Sequence, residues 1–421
     1  SLSHSCKNQD KMRRVYLDYA AATPLDPRVK LAMDEYLAGG GANPSGLYQE
    51  GRLAKKALEE SRQRVAGFVG AKPAEIYFTA STTESNNLAI LGAARANRHT
   101  GKHLITTAVE HVSVLNPFRQ LEREGFEVTY LPVDEYGRVS AERVKSAIRP
   151  DTILVSVIFA SNEIGTINPI GPIGQTIKEL KNQNGLPSRR GTSFPRDLPY
   201  FHSDAAQAAP HLKINAANCE LDLMSFSAGK MYGPKGAAAL YVKRGVRLEP
   251  IMHGGSQENG LRPGTQDLAG IVGFARAVEI IQKEQQKEES RLTRWRDRII
   301  KEVQAALPEV LLNGHARERL ANNISFSVPG LSGEELVLAL DQAGPIRSGA
   351  SNGAGFALST RSACDSHNPT PPHVIKALGR TDEEAWGTVR ITLGRYTKEE
   401  EVGRFIEAFI NIVKKLKSRK H

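Results

Sequence analysis

Residues 152–160 read Thr-Ile-Leu-Val-Ser-Val-Ile-Phe-Ala, and the polar pair Asn162-Glu163 follows almost at once. A strand with one wet face alternates polar and apolar residues. A run apolar from Ile153 to Ala160 except at Ser156 is instead a strand covered on both faces. Working outward, strand character recurs at residues 76–79, 103–107, 127–133, 200–203 and 223–226. Helical patterns lie between these strands. Residues 52–69 carry Leu53, Ala57, Leu58, Val65, Phe68 and Val69 at amphipathic spacing, and a second helix is expected from about Glu84 to Ala94. Alternation of this kind predicts an α/β fold with a mainly parallel sheet and helices on both sides.

Further along, residues 282–307 read as a long, charged amphipathic helix that bridges to a second unit. A strand at 322–328, a helix at 333–341, a Gly/Ser-rich stretch at 343–355 and a charged helix from Lys398 predict a smaller α+β domain. The expected division is a large domain at 25–284 and a small domain made of 1–24 and 285–421. Residues 181–199, rich in Arg, Asn, Gly, Pro and Ser, read as a surface insertion.

The remaining bulk properties exclude several classes. Length (421 residues), 40% hydrophobic and 24% charged content suit a globular chain of two or three domains. The longest apolar run, 153–160, is far short of a membrane span, and the polar first fourteen residues show no signal peptide. Cys6, Cys219 and Cys364 are odd in number and far apart, so a disulfide framework is not expected and a cytoplasmic setting is. The net charge of +10 invites a nucleic-acid reading, but residues 1–14 and 414–421 hold +8 of it, so the body is almost neutral. Nucleic acid is therefore not an expected partner, and no Cys/His spacing suggests a metal site.

The chemistry lies where strands end, as it does in parallel α/β sheets. Five polar clusters sit there: Thr82-Thr83-Glu84-Ser85, Glu110-His111, Asn162-Glu163, Asp204 to Gln207, and Ser227 to Lys230. Any one alone reads as a helix cap or a solvated cation. Together they match the demands of pyridoxal 5′-phosphate (PLP). Lysine condenses with the aldehyde, a carboxylate keeps the pyridinium nitrogen protonated, and hydroxyls at a helix N-terminus hold the phosphate.

At these residues the chain resembles the NifS/IscS-type cysteine desulfurases, PLP enzymes of the aspartate-aminotransferase fold. The segments that carry the resemblance run in order from VYLDYAAATPLDPRV (15–29), NPSGLYQEGR (43–52), FTASTTESNNLAI (78–90), VEHVSVL (109–115) and SNEIGTINPI (161–170) to HSDAAQA (202–208) and MSFSAGKMYGPKGAAALYV (224–242). HGGSQENGLRPGT (253–265), RSACDS (361–366) and VRITLGRYT (389–397) complete it. The resemblance implies a PLP-dependent transferase of the type I fold. Lys230 would carry the cofactor, Asp204 would pair with its ring nitrogen, and His111 would stack on the ring and move protons. Gln207 and Asn162 would address the ring oxygen. Thr83, with Thr82 beside it, and Ser227 would hold the phosphate, joined by Thr265 from the other subunit of a homodimer. Arg390 would bind the substrate carboxylate, with Asn43 near it. Cys364 would attack the sulfur of L-cysteine, leaving alanine and a persulfide for a sulfur-acceptor protein in iron–sulfur cluster or tRNA thiolation pathways.

Selenocysteine lyase is the alternative within the same fold. A sulfur-relay scaffold is the alternative outside catalysis, and the intact Lys230, Asp204, His111 and Cys364 set argues against it. Three departures from the family pattern stand out. Gly229 replaces the usual histidine before the lysine, removing a phosphate contact worth about 1.5–3 kcal/mol. Arg361 replaces glycine near Cys364, and residues 345–353 look inserted. Cys6 and Cys219 read as incidental, and His367 and His373 as solvated.

Overall fold

The computed structural model describes residues 14–38, 42–184, 198–343, 355–360 and 370–419. Strand β1 (Val15–Tyr16) comes first. Seven strands then form the main sheet: β2 (Ile76–Thr79), β3 (His103–Thr107), β4 (Glu127–Leu131), β5 (Thr152–Ser156), β6 (Tyr200–Asp204), β7 (Leu223–Ser227) and β8 (Ala238–Val242). Their order is β2-β8-β7-β6-β5-β3-β4. Only β8 runs antiparallel to its neighbours. Every residue of β3, β5, β6, β7 and β8 is buried. Their near-continuous apolar sequences follow from that double coverage. The helices Gln49–Phe68 and Ile170–Asn184 pack with the start of Leu268–Ala306 into one buried cluster, and Thr82–Ala96 with Val112–Arg123 into another.

Some boundaries differ from the sequence reading, each for a local reason. The strand within the 152–160 run ends at Ser156, although Val157 and Phe159 N–H still donate to the His202 and Asp204 carbonyls of β6, while the Ile158 N–H turns the other way to the Glu110 carboxyl at 2.7 Å. The 127–133 run stops at Leu131, since Pro132 has no N–H to offer. The helix expected at 84–94 begins at Thr82, capped by Ser81, whose side chain accepts from Glu84 N–H. Strand β8 was not foreseen as a strand. It is short and two of its five residues are alanine. The first residues of the insertion expected from 181 are helical, since Lys181 still belongs to the helix Ile170–Asn184 and reaches Asp222 at 2.7 Å. Residues 185–197 lie outside the described residues.

The long helix expected at 282–307 runs from Leu268 to Ala306, about 58 Å at 1.5 Å per residue. Residues 268–281 are apolar or small except Arg276 and Glu279, so the polar face is narrow and the amphipathic signal weak. That half packs in the main core, whereas Leu292, Trp295, Ile299 and Val303 belong to a second buried cluster. The second cluster covers β9 (Leu311–Leu312), β10 (Asn323–Ser327) and β12 (Thr388–Thr392), an antiparallel three-stranded sheet, and β11 (Phe356–Ala357), which pairs with β1. The helix Glu399–Ser418 closes it, with acids in its first turn and lysines in its last, as the helix dipole favours. No helix among the described residues is long and apolar enough to cross a membrane.

Candidate active site

A cavity of about 280 Å³ opens at the carboxyl ends of β6 and β7 and at the start of the helix Thr82–Ala96. Thr82, Thr83, His111, Asn162, Asp204, Gln207, Ser227, Lys230 and Arg390 all line it. Residues scattered over more than 300 positions therefore share one wall. Asn43 does not line the cavity: it is exposed, and its side chain accepts from Ser45 N–H at 2.9 Å in a local turn. Thr265 is exposed and also stands outside the cavity of its own chain. Cys364, Arg361, Cys6, His367 and the 345–353 stretch lie outside the described residues.

Lys230 ends a single helical turn, Ala228–Lys230, immediately after β7. Its Nζ donates to the carbonyls of Ala20 (2.8 Å) and Ala21 (2.5 Å). Gln207 donates to the same Ala20 carbonyl at 2.9 Å. Two residues on, Tyr232 holds φ at 58°, a left-handed conformation costly for an aromatic residue. Thr23 fixes it: its hydroxyl accepts from Tyr232 N–H at 2.9 Å and donates to the Gly229 carbonyl at 3.0 Å. The backbone under Lys230 is thus over-determined.

Asp204 closes β6 and is 4% exposed. It accepts from Ala206 N–H (2.9 Å) and Asn86 Nδ2 (2.8 Å), both neutral donors. A buried carboxylate held this way still favours a positive partner in the cavity. Asn86 Nδ2 also donates to Ser113 Oγ at 2.9 Å, and Ser113 Oγ lies 2.8 Å from His111 Nδ1. Ser113 N–H donates to the same Nδ1 at 3.1 Å. Nδ1 is therefore an acceptor, and the neutral ring carries its proton on Nε2. Burial pushes the His111 pKa below its ordinary value, and the nearby Asp204 charge opposes that shift. The result is a neutral imidazole able to take a proton.

Across the cavity, Arg390 on β12 is 2% exposed. It donates to Asp18 at 2.7 Å, to Ser359 Oγ at 3.0 Å and to the Asn162 carbonyl at 3.2 Å. Its Nε is buried without a hydrogen-bond partner among the described residues, the expected mark of a guanidinium able to take a further anion. At the other end, the first N–H groups of the helix Thr82–Ala96 have no carbonyl within the helix, and the Thr82, Thr83 and Ser227 hydroxyls stand beside them. Two anion-binding features, the helix N-terminus with its hydroxyls and the Arg390 guanidinium, share this lining with lysine, aspartate and imidazole, which fits the donor set PLP requires.

Two buried acids support this wall. Glu110 accepts from Thr107 Oγ1 at 2.8 Å and from Ile158 N–H at 2.7 Å, while its second oxygen is buried and has no partner among the described residues. Burial raises its pKa from 4.5 to about 8, so the folded protein holds it protonated at neutral pH. That proton stabilises the fold fully below pH 4.5, and the stabilisation is lost as pH rises through about 8, roughly 3–5 kcal/mol in all. Glu110→Gln keeps the acceptor but cannot ionise. Its melting temperature is expected to fall less between pH 5 and pH 9 than that of the parent protein, and parallel curves would refute the assignment. Farther out, Arg62 grips Glu258 through two bonds of 2.7 and 2.8 Å. Burial pushes the Glu258 carboxyl up, but Arg62, Phe78 N–H and Gln266 outweigh it and leave the pKa below its ordinary value. With Arg262 bound to Glu84 at 2.8 Å, this pair anchors the loop that carries Thr265. Arg62→Ala is expected to cost about 3–5 kcal/mol in denaturant unfolding, since it strands a buried carboxylate.

The aminotransferase class-V family model matches residues 15–186 and 191–405. The chain belongs to the aminotransferase class-V family. Within it, the chain is 44% identical over 406 residues to cysteine desulfurase IscS of Dictyoglomus turgidum, covering 96% of each chain. It is 40% identical over 409 residues to human cysteine desulfurase, covering 96% of this chain and 83% of the human one. Among solved structures, a NifS-like protein superposes with TM-score 0.83 at 32% identity, covering 95% of this chain and 99% of the other. A structure described as SspA in complex with cysteine does so with TM-score 0.75 at 34% identity, covering 91% and 100%. This class-V enzyme thus has the α/β, PLP-dependent type I fold expected of it.

Sequence reasoning missed several residues that shape the site. Asn86 falls one turn after Thr82 on the same helix, and Ser113 two positions after the cap His111, so spacing could have flagged both. Asp18 lies 372 positions from Arg390, and no local signal links them. His373 is a correction. It is half-buried, and its Nε2 donates to the Glu110 carbonyl at 3.0 Å rather than facing solvent. Cys219 is half-buried, and burial raises its thiol pKa, which disfavours the thiolate.

Proposed function

We propose that this class-V enzyme is a PLP-dependent cysteine desulfurase that converts L-cysteine to L-alanine and delivers the sulfur, through a persulfide on Cys364, to an acceptor protein. The observation that carries this reading is the single cavity joining Lys230, Asp204, His111 and Arg390, in a chain 40–44% identical to proteins named cysteine desulfurase. Lys230 would hold PLP covalently, Asp204 its ring nitrogen, Gln207 and Asn162 its oxygen side, and Thr82, Thr83 and Ser227 its phosphate. When bound, PLP supplies an electron sink beside the substrate's reacting carbon. Arg390 would orient the substrate carboxylate, while Asn43, outside the cavity of its own chain, would reach it only through a rearrangement of its turn. His111, neutral and carrying its proton on Nε2, would give that proton and take it back in exchange with Lys230. The Cys364 thiolate would attack the substrate sulfur. An S–S bond forms, the carbon–sulfur bond breaks, and the electron pair stays on carbon, which takes up a proton to become the methyl group of alanine.

Two separate buried clusters support the division into a PLP-binding unit at 25–284 and a smaller unit of 1–24 and 285–421 carrying the cysteine loop. The odd, scattered cysteines support a reducing, cytoplasmic setting. A homodimer with shared sites is supported by Leu31, Leu37, Leu47 and Leu53, which are 74, 67, 89 and 59% exposed, and by a Thr265 that its own chain leaves outside the cavity. Mixing Lys230→Ala with Thr265→Ala subunits is the test. A mixed dimer keeps one intact site, so activity should rise above that of either parent. No gain despite verified subunit exchange would exclude shared sites.

A further inference from the structure

The phosphate end of the cavity contains a cation that the mechanism above does not use. Lys235 lines the cavity together with Thr82, Thr83, Ser227 and Gly229. Its position is fixed by a closed backbone loop. Ala228 N–H donates to the Ala237 carbonyl at 3.0 Å, and Gly233 N–H to the Ala228 carbonyl at 2.9 Å. Gly229 leaves open space against it. A Cβ placed on Gly229 would meet Lys235 Cγ at 3.7 Å and its Cα at 3.8 Å, ordinary contact distances, so the lysine stem forms the wall of that gap.

Charge then decides the matter. A phosphate monoester carries close to two negative charges at neutral pH. Hydroxyls and a helix N-terminus offer only partial positive charge. The other two cations of the lining are engaged elsewhere, Lys230 with the Ala20 and Ala21 carbonyls and Arg390 with Asp18. Lys235 has no ion-pair or hydrogen-bond partner among the described residues, and it lines the phosphate end. An unpaired ammonium beside an uncompensated dianion site is a charge match, and its flexible stem can span a gap that a fixed ring would otherwise fill.

We propose that Lys235 is a cofactor-binding residue that contacts the PLP phosphate, taking the place left open by the missing side chain at Gly229. The proposal rests on the PLP reading and adds a residue to it. Titrating the apo-protein with PLP and with pyridoxal, which lacks the phosphate, separates the two. Lys235→Met should weaken PLP binding about ten- to a hundredfold, the range for losing a hydrogen bond to a charged group, and leave pyridoxal binding unchanged. Lys235→Arg should retain most of the PLP affinity. In a Gly229→His background the loss caused by Lys235→Met should shrink, because a second donor now fills the gap. Equal weakening of PLP and pyridoxal, or no change for either, would overturn the role of Lys235. A wild-type protein that binds neither compound would overturn the PLP reading itself, and this proposal with it.

Discussion

Lys230→Ala protein is expected to lose the lysine-linked cofactor absorbance, to yield no borohydride-fixed adduct, and to turn over cysteine at least a hundred- to ten-thousandfold more slowly. The lower bound is the usual worth of a positioned acid–base group alone, and loss of the covalent anchor adds to it. The geometry makes the effect local. Lys230 is held by backbone carbonyls of Ala20 and Ala21, and the turn beneath it is pinned by Thr23 and Tyr232, so truncation leaves the surrounding frame in place. The mutant should therefore melt close to the parent apo-protein. A reducible adduct that persists on another lysine would contradict the assignment.

The second large effect concerns Cys364. Cys364→Ser is expected to bind PLP and cysteine as the parent does, because the proposed contacts, Asp204, Thr82, Thr83 and Arg390, line the cavity from other elements. It should nevertheless lose persulfide formation and nearly all sulfide release, since a serine hydroxyl neither ionises in this range nor accepts sulfur. Arg361 is the one Lys or Arg within three residues of Cys364 in the sequence, and its effect on the thiol is read from a pH profile, where no change would leave it a solvent-facing residue. A free thiol titrates near ~8.5, and a neighbouring guanidinium lowers that value. Arg361→Gly should shift the pH profile of persulfide formation upward and leave cofactor absorbance unchanged. Selenocysteine, whose selenium leaves more readily, should be less sensitive to the serine change than cysteine.

How much of this was legible in the sequence depended on whether a signal was local. The buried strands announced themselves as apolar runs, and the polar residues at their ends pointed to one face of the sheet. Nine of the residues named from sequence line a single cavity. The network behind them was not legible. Asn86 joins Asp204 to Ser113 across 118 and 27 positions, and Asp18 reaches Arg390 across 372. Nothing in local periodicity encodes such pairings. His373 reads as a surface residue just after Pro371 and Pro372, because only the folded chain brings the Glu110 carbonyl to it. The long helix extends further toward its N-terminus than the sequence reading, because residues 268–281 carry only Arg276 and Glu279 in an otherwise apolar run and so mark their polar face weakly. Lys235 shows the reverse case. Its sequence neighbourhood was quoted as part of the resemblance, yet its closeness to the gap at Gly229 is visible only in three dimensions.

The most direct measurement is a single turnover with the holo-protein and one equivalent of L-cysteine, read by intact-protein and peptide mass spectrometry alongside amino-acid analysis. The account predicts one alanine formed per sulfur atom retained, with that sulfur on Cys364. Pyruvate and free sulfide with no protein-bound sulfur, or a sulfur adduct on Cys6 or Cys219 but not on Cys364, would contradict it.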